Sequence, residues 1–193
     1  LGKRLAVSGK ATLADGGVAF EALRLTGERA SAVVDGKATQ DQADLVAKIS
    51  APDLKAADPR LTGRADADVV LRGSLRKLDA SFSIAAREAS AIGRAIPSLS
   101  LSGEAQDLTG AALVTAALDG VIDGKPARGN MRAQRDGETW KIDTLDLSVD
   151  RARVSGAFAL DAAKRARGKL KANVPDLDAF SAFALEKLAG RLD

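Results

Sequence analysis

Residues 61–72, Leu-Thr-Gly-Arg-Ala-Asp-Ala-Asp-Val-Val-Leu-Arg, alternate between two kinds of side chain. Charged or polar residues occupy one set of alternate positions, and Val70 is the exception. The other set contains Leu61, Gly63, Ala65, Ala67, Val69 and Leu71. Because successive side chains of a β-strand point to opposite faces, this pattern predicts a strand with one apolar and one solvated face. At about 3.3 Å per residue the strand would span roughly 40 Å, which is longer than an average strand.

The same alternation recurs along the chain and predicts a mainly β fold. Further strands are predicted over residues 5–13, 18–25, 29–38, 43–50, 78–86, 99–103, 111–118, 127–133, 140–149 and 154–160. In three places the apolar positions switch from even to odd numbers: after Phe20, after Ile96 and after Ile142. One extra residue in a strand reverses the facing of every later side chain, so such a switch indicates a β-bulge.

Turns and one helix complete the prediction. Asp119-Gly120 and Asp123-Gly124 are typical turn sequences. Residues 51–59 form a connector that contains two prolines. From Pro175 onward the apolar positions step by three or four residues as far as Gly190, which predicts a short helix near the C-terminus. The predicted fold is an elongated, curved, mostly antiparallel sheet.

The chain also contains an internal repeat. Residues 23–30 resemble residues 145–152 at an offset of 122, and Pro-Asp-Leu at 52–54 recurs at 175–177, an offset of 123. Leu-Thr-Gly-Arg-Ala-Asp at 61–66 recurs as Leu-Ala-Gly-Arg-Leu-Asp at 188–193, an offset of 127. We predict repeat units at about 1–72 and 122–193, joined by a related segment at 73–121. Alanine-rich strands also resemble one another through composition alone, but the shared order of these features favours an elongated repeat architecture.

The composition excludes most kinds of chemistry. The chain has no Cys and no His, which excludes Cys/His zinc sites, Cys or His nucleophiles and a Ser-His-Asp triad. No pair of carboxylates stands out, so we predict no enzyme activity, no metal and no cofactor. The 29 basic and 26 acidic residues are interleaved, and aromatic residues make up 3%, so we predict no nucleic-acid partner. We expect the chain to be a fragment of a longer protein, which leaves its targeting signals open.

Several motifs resemble the TamB family of Gram-negative bacteria. They are residues 93–110 (Gly-Arg-Ala-Ile-Pro-Ser-Leu-Ser-Leu-Ser-Gly-Glu-Ala-Gln-Asp-Leu-Thr-Gly), 118–120 (Leu-Asp-Gly), 124–129 (Gly-Lys-Pro-Ala-Arg-Gly), 145–148 (Leu-Asp-Leu-Ser), 154–160 (Val-Ser-Gly-Ala-Phe-Ala-Leu) and 174–179 (Val-Pro-Asp-Leu-Asp-Ala). Their order resembles the C-terminal region of the family, and alphaproteobacterial members in particular.

The resemblance implies an inner-membrane-anchored protein whose periplasmic part is a taco-like β-groove. It further implies a conduit or scaffold that carries phospholipid, or assists assembly of outer-membrane proteins such as autotransporters, together with a TamA-like partner in the outer membrane. The partners expected in the groove are phospholipid acyl chains or unfolded outer-membrane protein segments. The anchor itself is not expected within this fragment.

The apolar positions of the predicted strands have two interpretations. In one, they line an open hydrophobic groove, which in soluble proteins normally marks a binding site. In the other, they form the closed core of a purely structural β-repeat module, such as an adhesin or passenger domain. We expect the groove, lined by Leu61, Val69, Leu71, Phe82, Ile84, Leu99, Leu101, Leu147, Phe158 and Leu160.

Overall fold

A computed structural model describes residues 5–14, 16–28, 30–39, 41–163 and 165–192. These residues form twelve β-strands, two 3-10 turns and one short helix. The strands are β1 (Leu5–Ala14), β2 (Gly17–Gly27), β3 (Ser31–Thr39), β4 (Ala43–Ala51), β5 (Leu61–Ser74), β6 (Lys77–Ala91), β7 (Arg94–Gln106), β8 (Leu113–Ile122), β9 (Lys125–Asp136), β10 (Thr139–Val149), β11 (Ala152–Leu160) and β12 (Ala166–Asn173). The predicted β fold is therefore confirmed.

All twelve strands belong to one open sheet in which each strand pairs with the next along the chain. Every one of these pairings is antiparallel. With neighbouring strands about 4.8 Å apart, the sheet extends roughly 50 Å across its strands. Consequently a surface that is continuous from strand to strand runs along the long dimension of the sheet.

The register aligns apolar side chains across the whole sheet. One row of directly paired positions, the central row, takes one residue from each strand and contains only apolar residues and one glycine. The central row is Val7, Leu25, Ala32, Ile49, Ala67, Ile84, Leu101, Leu118, Gly129, Leu147, Val154 and Ala172. Parallel rows on either side are also apolar. We call the surface that these rows share the apolar face; charged and hydroxyl side chains occupy most of the opposite, polar face.

Bulges preserve this facing where the sequence changes phase. The pairing register shifts between Phe20 and Leu23 in β2 and between Ile142 and Leu145 in β10, as predicted. In β2 the extra residue Ala22 has a positive φ of 48°, and its N–H donates to the Asp35 carboxylate at 2.6 Å. Each bulge leaves two consecutive side chains outside the apolar face, so the apolar residues before and after it share one surface.

The phase switch after Ile96 has a different origin. Pro97 and Ser98 both lie outside the apolar face. Opposite them in β6, Arg87 and Glu88 also lie outside it. Because both strands change phase at the same level, their mutual register does not shift. The positive φ of Glu88, 50°, marks this level, where the register of β6 with β5 does shift.

One turn prediction is wrong. Asp119 and Gly120 do not form a turn but lie inside β8, opposite Ser100 and Leu99; the turn comes at Asp123-Gly124. The Gly120 position is crowded by Leu99 of the neighbouring strand, since a Cβ there would lie 2.7 Å from Leu99 Cδ1. This glycine therefore serves close side-chain packing across strands and not a change of chain direction.

The C-terminal helix exists but is shorter than predicted. A 3-10 turn (Leu177–Phe180) leads into α1 (Ser181–Ala184), and Leu185 then adopts a left-handed conformation that ends the helix. The chain returns through Gly190, whose carbonyl accepts from the Leu177 N–H at 2.8 Å. We call residues 175–192 the cap.

The main buried cluster lies beneath the cap, at one end of the strands, whereas Ala43, Ala105, Ala112 and Ala133 are buried elsewhere. The main cluster consists of Ala89, Ala91, Ile96, Ile122, Ala127, Val149, Ala152, Val174, Ala179, Phe180 and Ala182. Leu54, from the connector between β4 and β5, also packs against this core. The hairpin turns at this end bring strand termini of β6 to β12 under the two phenylalanine rings Phe180 and Phe183, whose centroids are 6.4 Å apart.

Gly63→Ala tests the bulge between β5 and β6. Gly63 has φ 93°, and a Cβ there would lie 2.4 Å from Ala89 Cα and 2.5 Å from the Glu88 oxygen, both backbone atoms. The substitution should lower the free energy of unfolding by about 3 kcal/mol, through strain and a clash that no rotamer change relieves.

Gly124→Ala is the matched control in urea unfolding. Gly124 has a similar φ of 75°, but nothing lies within 4 Å of its Cβ position. Its cost should be limited to conformational strain, about 1 kcal/mol. Equal losses in the two variants would contradict the close contact at the bulge.

Candidate binding face of the sheet

The ten residues predicted to line a groove all lie on the apolar face and are all partly buried. Ile84, Leu101 and Leu147 belong to the central row. Val69 pairs with Phe82 in the adjacent row, and Leu71 and Phe158 lie one row further from the cap. Leu61 and Leu99 lie toward the cap, and Leu160 pairs with Trp140 at the opposite end.

The cap divides these residues into two groups. Leu61, Leu99 and Leu147 pack against the buried core beneath the cap. The other seven predicted residues are not part of that packing: Val69, Leu71, Phe82, Ile84, Leu101, Phe158 and Leu160. A closed core, which a purely structural module would have along its whole length, is thus present at one end of the strands. The other seven residues lie outside this core.

Beyond the cap the sheet is a single layer. Among the described residues, extensive contacts join only adjacent strands, apart from those that the short helical segments make with β5, β6 and each other. Partial burial of most apolar side chains here is consistent with packing against neighbours in the same sheet, whereas Ala105, Ala112 and Ala133, near the strand ends opposite the cap, are fully buried. Toward β1 the coverage falls further, since Ile49 is 40% exposed and Val7 58% exposed, although both belong to the central row.

Glycine and alanine create a depression near the middle of the apolar face. Gly129 lies between Leu118 and Leu147 in the central row, and Leu147 Cδ1 is 3.0 Å from the position that a Gly129 Cβ would take. The depression here has a volume of about 160 Å³, and Leu101, Ala116, Leu118, Gly129, Met131, Leu145 and Leu147 are among its lining residues. A second depression beside Phe82 and Gly103 shares Ala116 and Met131 with the first. Small residues thus give the face a recess that spans several strands.

The polar face has a different character. Cross-strand ion pairs join Lys10 to Glu21 at 3.2 Å and Arg72 to Asp44 at 3.3 Å, and their side chains are largely exposed. Exposed pairs of this kind contribute little to stability because water and salt screen them. Within the described part of the chain, no three acidic side chains come together as a metal site would require. The polar face offers solvation, and only the apolar face offers a continuous surface of one chemical kind.

Comparison with known proteins identifies the family. Residues 1–161 match the family described as TamB, N-terminal domain, which covers most of the chain. The chain belongs to the TamB family. No curated protein matches. No solved structure matches either.

The match corrects one part of the sequence interpretation. The motifs at 93–110 and 154–160 were expected to represent the C-terminal region of the TamB family, but the matched region is its N-terminal domain. Short alternating motifs with Leu, Ser, Gly and Ala recur in several strands of this sheet, so they indicate the architecture without fixing the position along a TamB protein. Membership of this family implies a non-enzymatic role in the periplasm, in outer-membrane protein assembly or in lipid transport. Among the described residues, no helix is both long and apolar enough to cross a bilayer.

An ion-pair cluster holds the cap on the sheet. Arg94, at the start of β7, is largely buried and pairs with Asp123 at 2.5 Å and with Asp178 of the cap. Arg94 also donates to the Asp178 carbonyl at 3.0 Å. Ser181, which is fully buried, donates to the Asp178 carboxylate at 2.9 Å and accepts from the Leu188 N–H at 2.9 Å. These bonds tie both the beginning and the end of the cap to one carboxylate.

Acidification should loosen the cap through Asp178. Hydrogen bonds from Ser181 and Arg94 lower the pKa of Asp178 below its usual 3.8. A depressed folded-state pKa contributes stability that is present above the unfolded value and lost as the pH falls through the folded value. Below about pH 4 the amide of Leu188 should therefore exchange with solvent faster, measured by hydrogen exchange relative to the amides of β8.

Asp178→Asn is the control for this pH dependence. The amide side chain keeps the shape of the carboxylate but does not titrate, so its cap should already exchange faster at pH 7 and change less between pH 6 and pH 3. An identical pH response in the two proteins would assign the loosening to other carboxylates, such as Asp58, whose pKa is lowered to about 2 by Arg60.

Proposed function

We propose that this chain is a section of a hydrophobic conduit in the periplasm, in which the apolar face holds phospholipid acyl chains in transit. The single observation that carries the proposal is the apolar face itself, which continues across all twelve strands and, within the described residues, is packed against the cap only at one end of the strands. Contiguous apolar surface is uncommon on soluble proteins and normally marks a binding site. Membership of the TamB family supports transport over a structural role.

The direction of transit follows from the geometry of the sheet. The central row runs perpendicular to the strands, so a chain lying along it would pass from β1 toward β12 without meeting a charged residue of the row. The depression at Gly129 adds room where this path crosses β7 to β10. The cap closes the end of the strands and reaches the central row at Leu118, Leu147, Val154 and Ala172, which pack against the core beneath it, but not at Ile84 and Leu101. A ligand would therefore lie beside the cap, against Ile84 and Leu101.

An unfolded outer-membrane protein segment is the second candidate for the same face. Such segments alternate apolar and polar residues, so their apolar side chains would fit the rows of the face. Within the described residues no further strand pairs with the outer edges of β1 and β12, which favours this candidate because an exposed edge offers backbone hydrogen bonds to an added strand. In either case we infer an inner-membrane-anchored protein, of alphaproteobacterial type, that works with a TamA-like partner.

Photo-crosslinking separates the two faces. Crosslinking residues at Phe82 or Phe158, on the apolar face, should capture phospholipid in Gram-negative cells, and the purified protein should carry lipid detectable by mass spectrometry. Residues at Asp66 or Asp68 lie on the polar face of the same sheet and serve as controls. Equal lipid labelling from both faces would contradict the proposal. Capture of protein in place of lipid at Phe82 would favour the second candidate.

Val69→Asp tests whether the apolar face must stay apolar. Val69 lies opposite Ala47 and Phe82 on that face, so a carboxylate there should reduce bound phospholipid by about tenfold or more. Val70→Asp is the matched control, because Val70 is also partly buried but lies on the polar face between Val46 and Ser81. Circular dichroism should show both variants folded. A loss of lipid that is the same in both variants would count against a role specific to the apolar face.

A further inference from the structure

We propose that the depression at Gly129 is a discrete binding site for a single acyl chain, and that Gly129 is the residue that creates it. The site would recognise the hydrocarbon chain and not the headgroup, so a fatty acid, a lysophospholipid and one chain of a phospholipid would each fit it. The inference rests on the proposed function, because it names a preferred position on the same apolar face. It adds that this face is not uniform and holds a single chain at one defined place.

Backbone conformation does not explain a glycine at position 129. Glycine weakens the interior of a strand, and there it usually marks a bulge, a tight bend, or the close approach of another backbone or of a ligand. Gly129 lies inside β9, and the register of β9 with both β8 and β10 is regular at this position. Its φ is not positive. A bulge and a bend are therefore excluded as reasons for this glycine.

Close approach of a neighbouring backbone does not explain the glycine either. The backbone atom nearest to a Cβ at Gly129 would be the Asp146 oxygen, at 3.4 Å, which is an ordinary contact. A Cβ at Gly120, in contrast, would lie 2.5 Å from the Ser98 oxygen. Among the glycines whose full surroundings lie within the described residues, Gly129 alone has neither a positive φ nor a neighbour closer than 3.0 Å to its Cβ position. Space for a ligand is the explanation that remains.

The missing side chain opens a gap in a ridge of leucines. Leu118 and Leu147 flank Gly129 in the central row, and both also pack against the core beneath the cap. On the side away from the cap, Ala116 and Met131 belong to the next row of the apolar face. Two residues along each strand separate the rows, which is about 6.6 Å. Since carbon atoms in contact lie about 4 Å apart, this width admits one hydrocarbon chain but not two side by side.

The lining of the depression fits a hydrocarbon chain better than a polypeptide. Its side chains on the apolar face are uncharged, because the polar residues that border it, Asn130 and Asp146, lie on the opposite face. The floor offers no backbone hydrogen bonds, since β9 is paired along both of its edges here. A polypeptide lying on this floor would bury amide groups without partners, which is costly. An acyl chain has no such groups.

The depression continues in the direction proposed for transit. The second depression, beside Phe82 and Gly103, shares Ala116 and Met131 with it. Together the two depressions cross the sheet from β6 to β10, which is about 19 Å at 4.8 Å per strand. A chain bound at Gly129 would therefore lie across the strands. Met131 borders both depressions, so its methyl group would contact the chain.

The only methionine of the protein supplies the probe for this site. Protein with an isotopically labelled Met131 methyl group is titrated with dodecanoate below its critical micelle concentration. The NMR signal of Met131 should shift and should saturate at one dodecanoate per protein chain. An unshifted signal would overturn the proposal. So would a saturating ratio well above one, because it would mean that the fatty acid coats the whole apolar face.

A lysophosphatidylcholine with the same twelve-carbon chain tests which part of the ligand is recognised. It should shift the Met131 signal in the same way as dodecanoate and bind within about threefold of its affinity, since the lining of the depression presents no charged group on the apolar face. A difference of about a hundredfold between the two ligands would show that the headgroup is also bound, and it would overturn a site for the chain alone.

Gly129→Ala tests the role of the glycine. The added methyl group and the displaced Leu147 side chain should fill the gap, so dodecanoate should bind about tenfold more weakly. The same substitution should raise the midpoint of urea unfolding, because alanine at a compatible φ restricts the unfolded chain. A glycine required by the structure would give a lower midpoint in the variant. Unchanged binding of dodecanoate would overturn the assignment of Gly129.

Two further variants separate filling of the gap from indirect effects. Leu147 Cδ1 is the atom nearest to the added methyl group, at 3.0 Å, so Leu147→Val in the Gly129→Ala protein should restore binding. Ala157→Val enlarges an exposed side chain on the polar face and should leave binding within about twofold. Failure of the first variant to restore binding, or an equal loss in the second, would contradict a steric role of position 129.

The single-chain site and phospholipid transit fail in different ways. If the crosslinker at Phe82 captures phospholipid but Met131 does not respond to dodecanoate, the transit proposal stands and the site at Gly129 is overturned. If dodecanoate saturates at Met131 but no phospholipid is captured at Phe82, the site stands and the transit proposal is overturned. A response at Met131 together with capture at Phe82 supports both.

Discussion

The register of the backbone ladder is the constraint on which every other feature of this sheet depends. Side chains alternate with a period of two, so a slip of one residue in any strand would send its apolar residues to the polar face. The central row keeps Val7 and Ala172 on one surface although eleven pairings separate their strands. Bulges at Ala22 and Asp143 absorb the residues that would otherwise break the row. Continuity of the face is therefore a property of the backbone as much as of side-chain composition.

Two residues on the same strand show how differently one face is used. Leu99 and Leu101 of β7 point the same way, but Leu99 packs against the core beneath the cap and Leu101 lines the depression beyond it. The cap supplies the buried volume that a single-layer sheet lacks, through Phe180 and its neighbours, and Arg94 anchors it. The main buried cluster is thus concentrated at one end of the strands, and within the described residues the cap does not extend over the rest of the apolar face.

Much of the fold could be predicted from the sequence because alternation and phase changes are local signals. The bulges after Phe20 and Ile142 follow directly from apolar positions that move from even to odd numbers. β12 was not predicted, since its apolar side offers only Leu170 and Ala172 beside Gly168, and its other side is basic. The helix was predicted too long because Leu185 and Leu188 keep helical spacing but reach the core from a left-handed turn and an irregular segment.

Coverage of the apolar face could not be predicted in the same way. Alanine and glycine suit both a tight core and an open recess, so Ala91 is buried under the cap while Ala116 lines the depression. Which outcome applies depends on where residues 175–192 fold back, a contact between segments far apart in sequence. The family region was misplaced for a related reason, since repeated strands resemble one another wherever they occur along the protein.

The central claim is that acyl chains occupy the apolar face beyond the cap, and methyl NMR with phospholipids that carry a nitroxide on the acyl chain tests it most directly. The account predicts strong paramagnetic broadening of the Ile84 and Leu101 methyl signals. The signals of Ile122 and Val149, which are buried beneath the cap, and of Val70 on the polar face should broaden less, because they lie farther from the acyl chain. Broadening at Val70 equal to that at Ile84, or no broadening at Ile84 and Leu101, would contradict it.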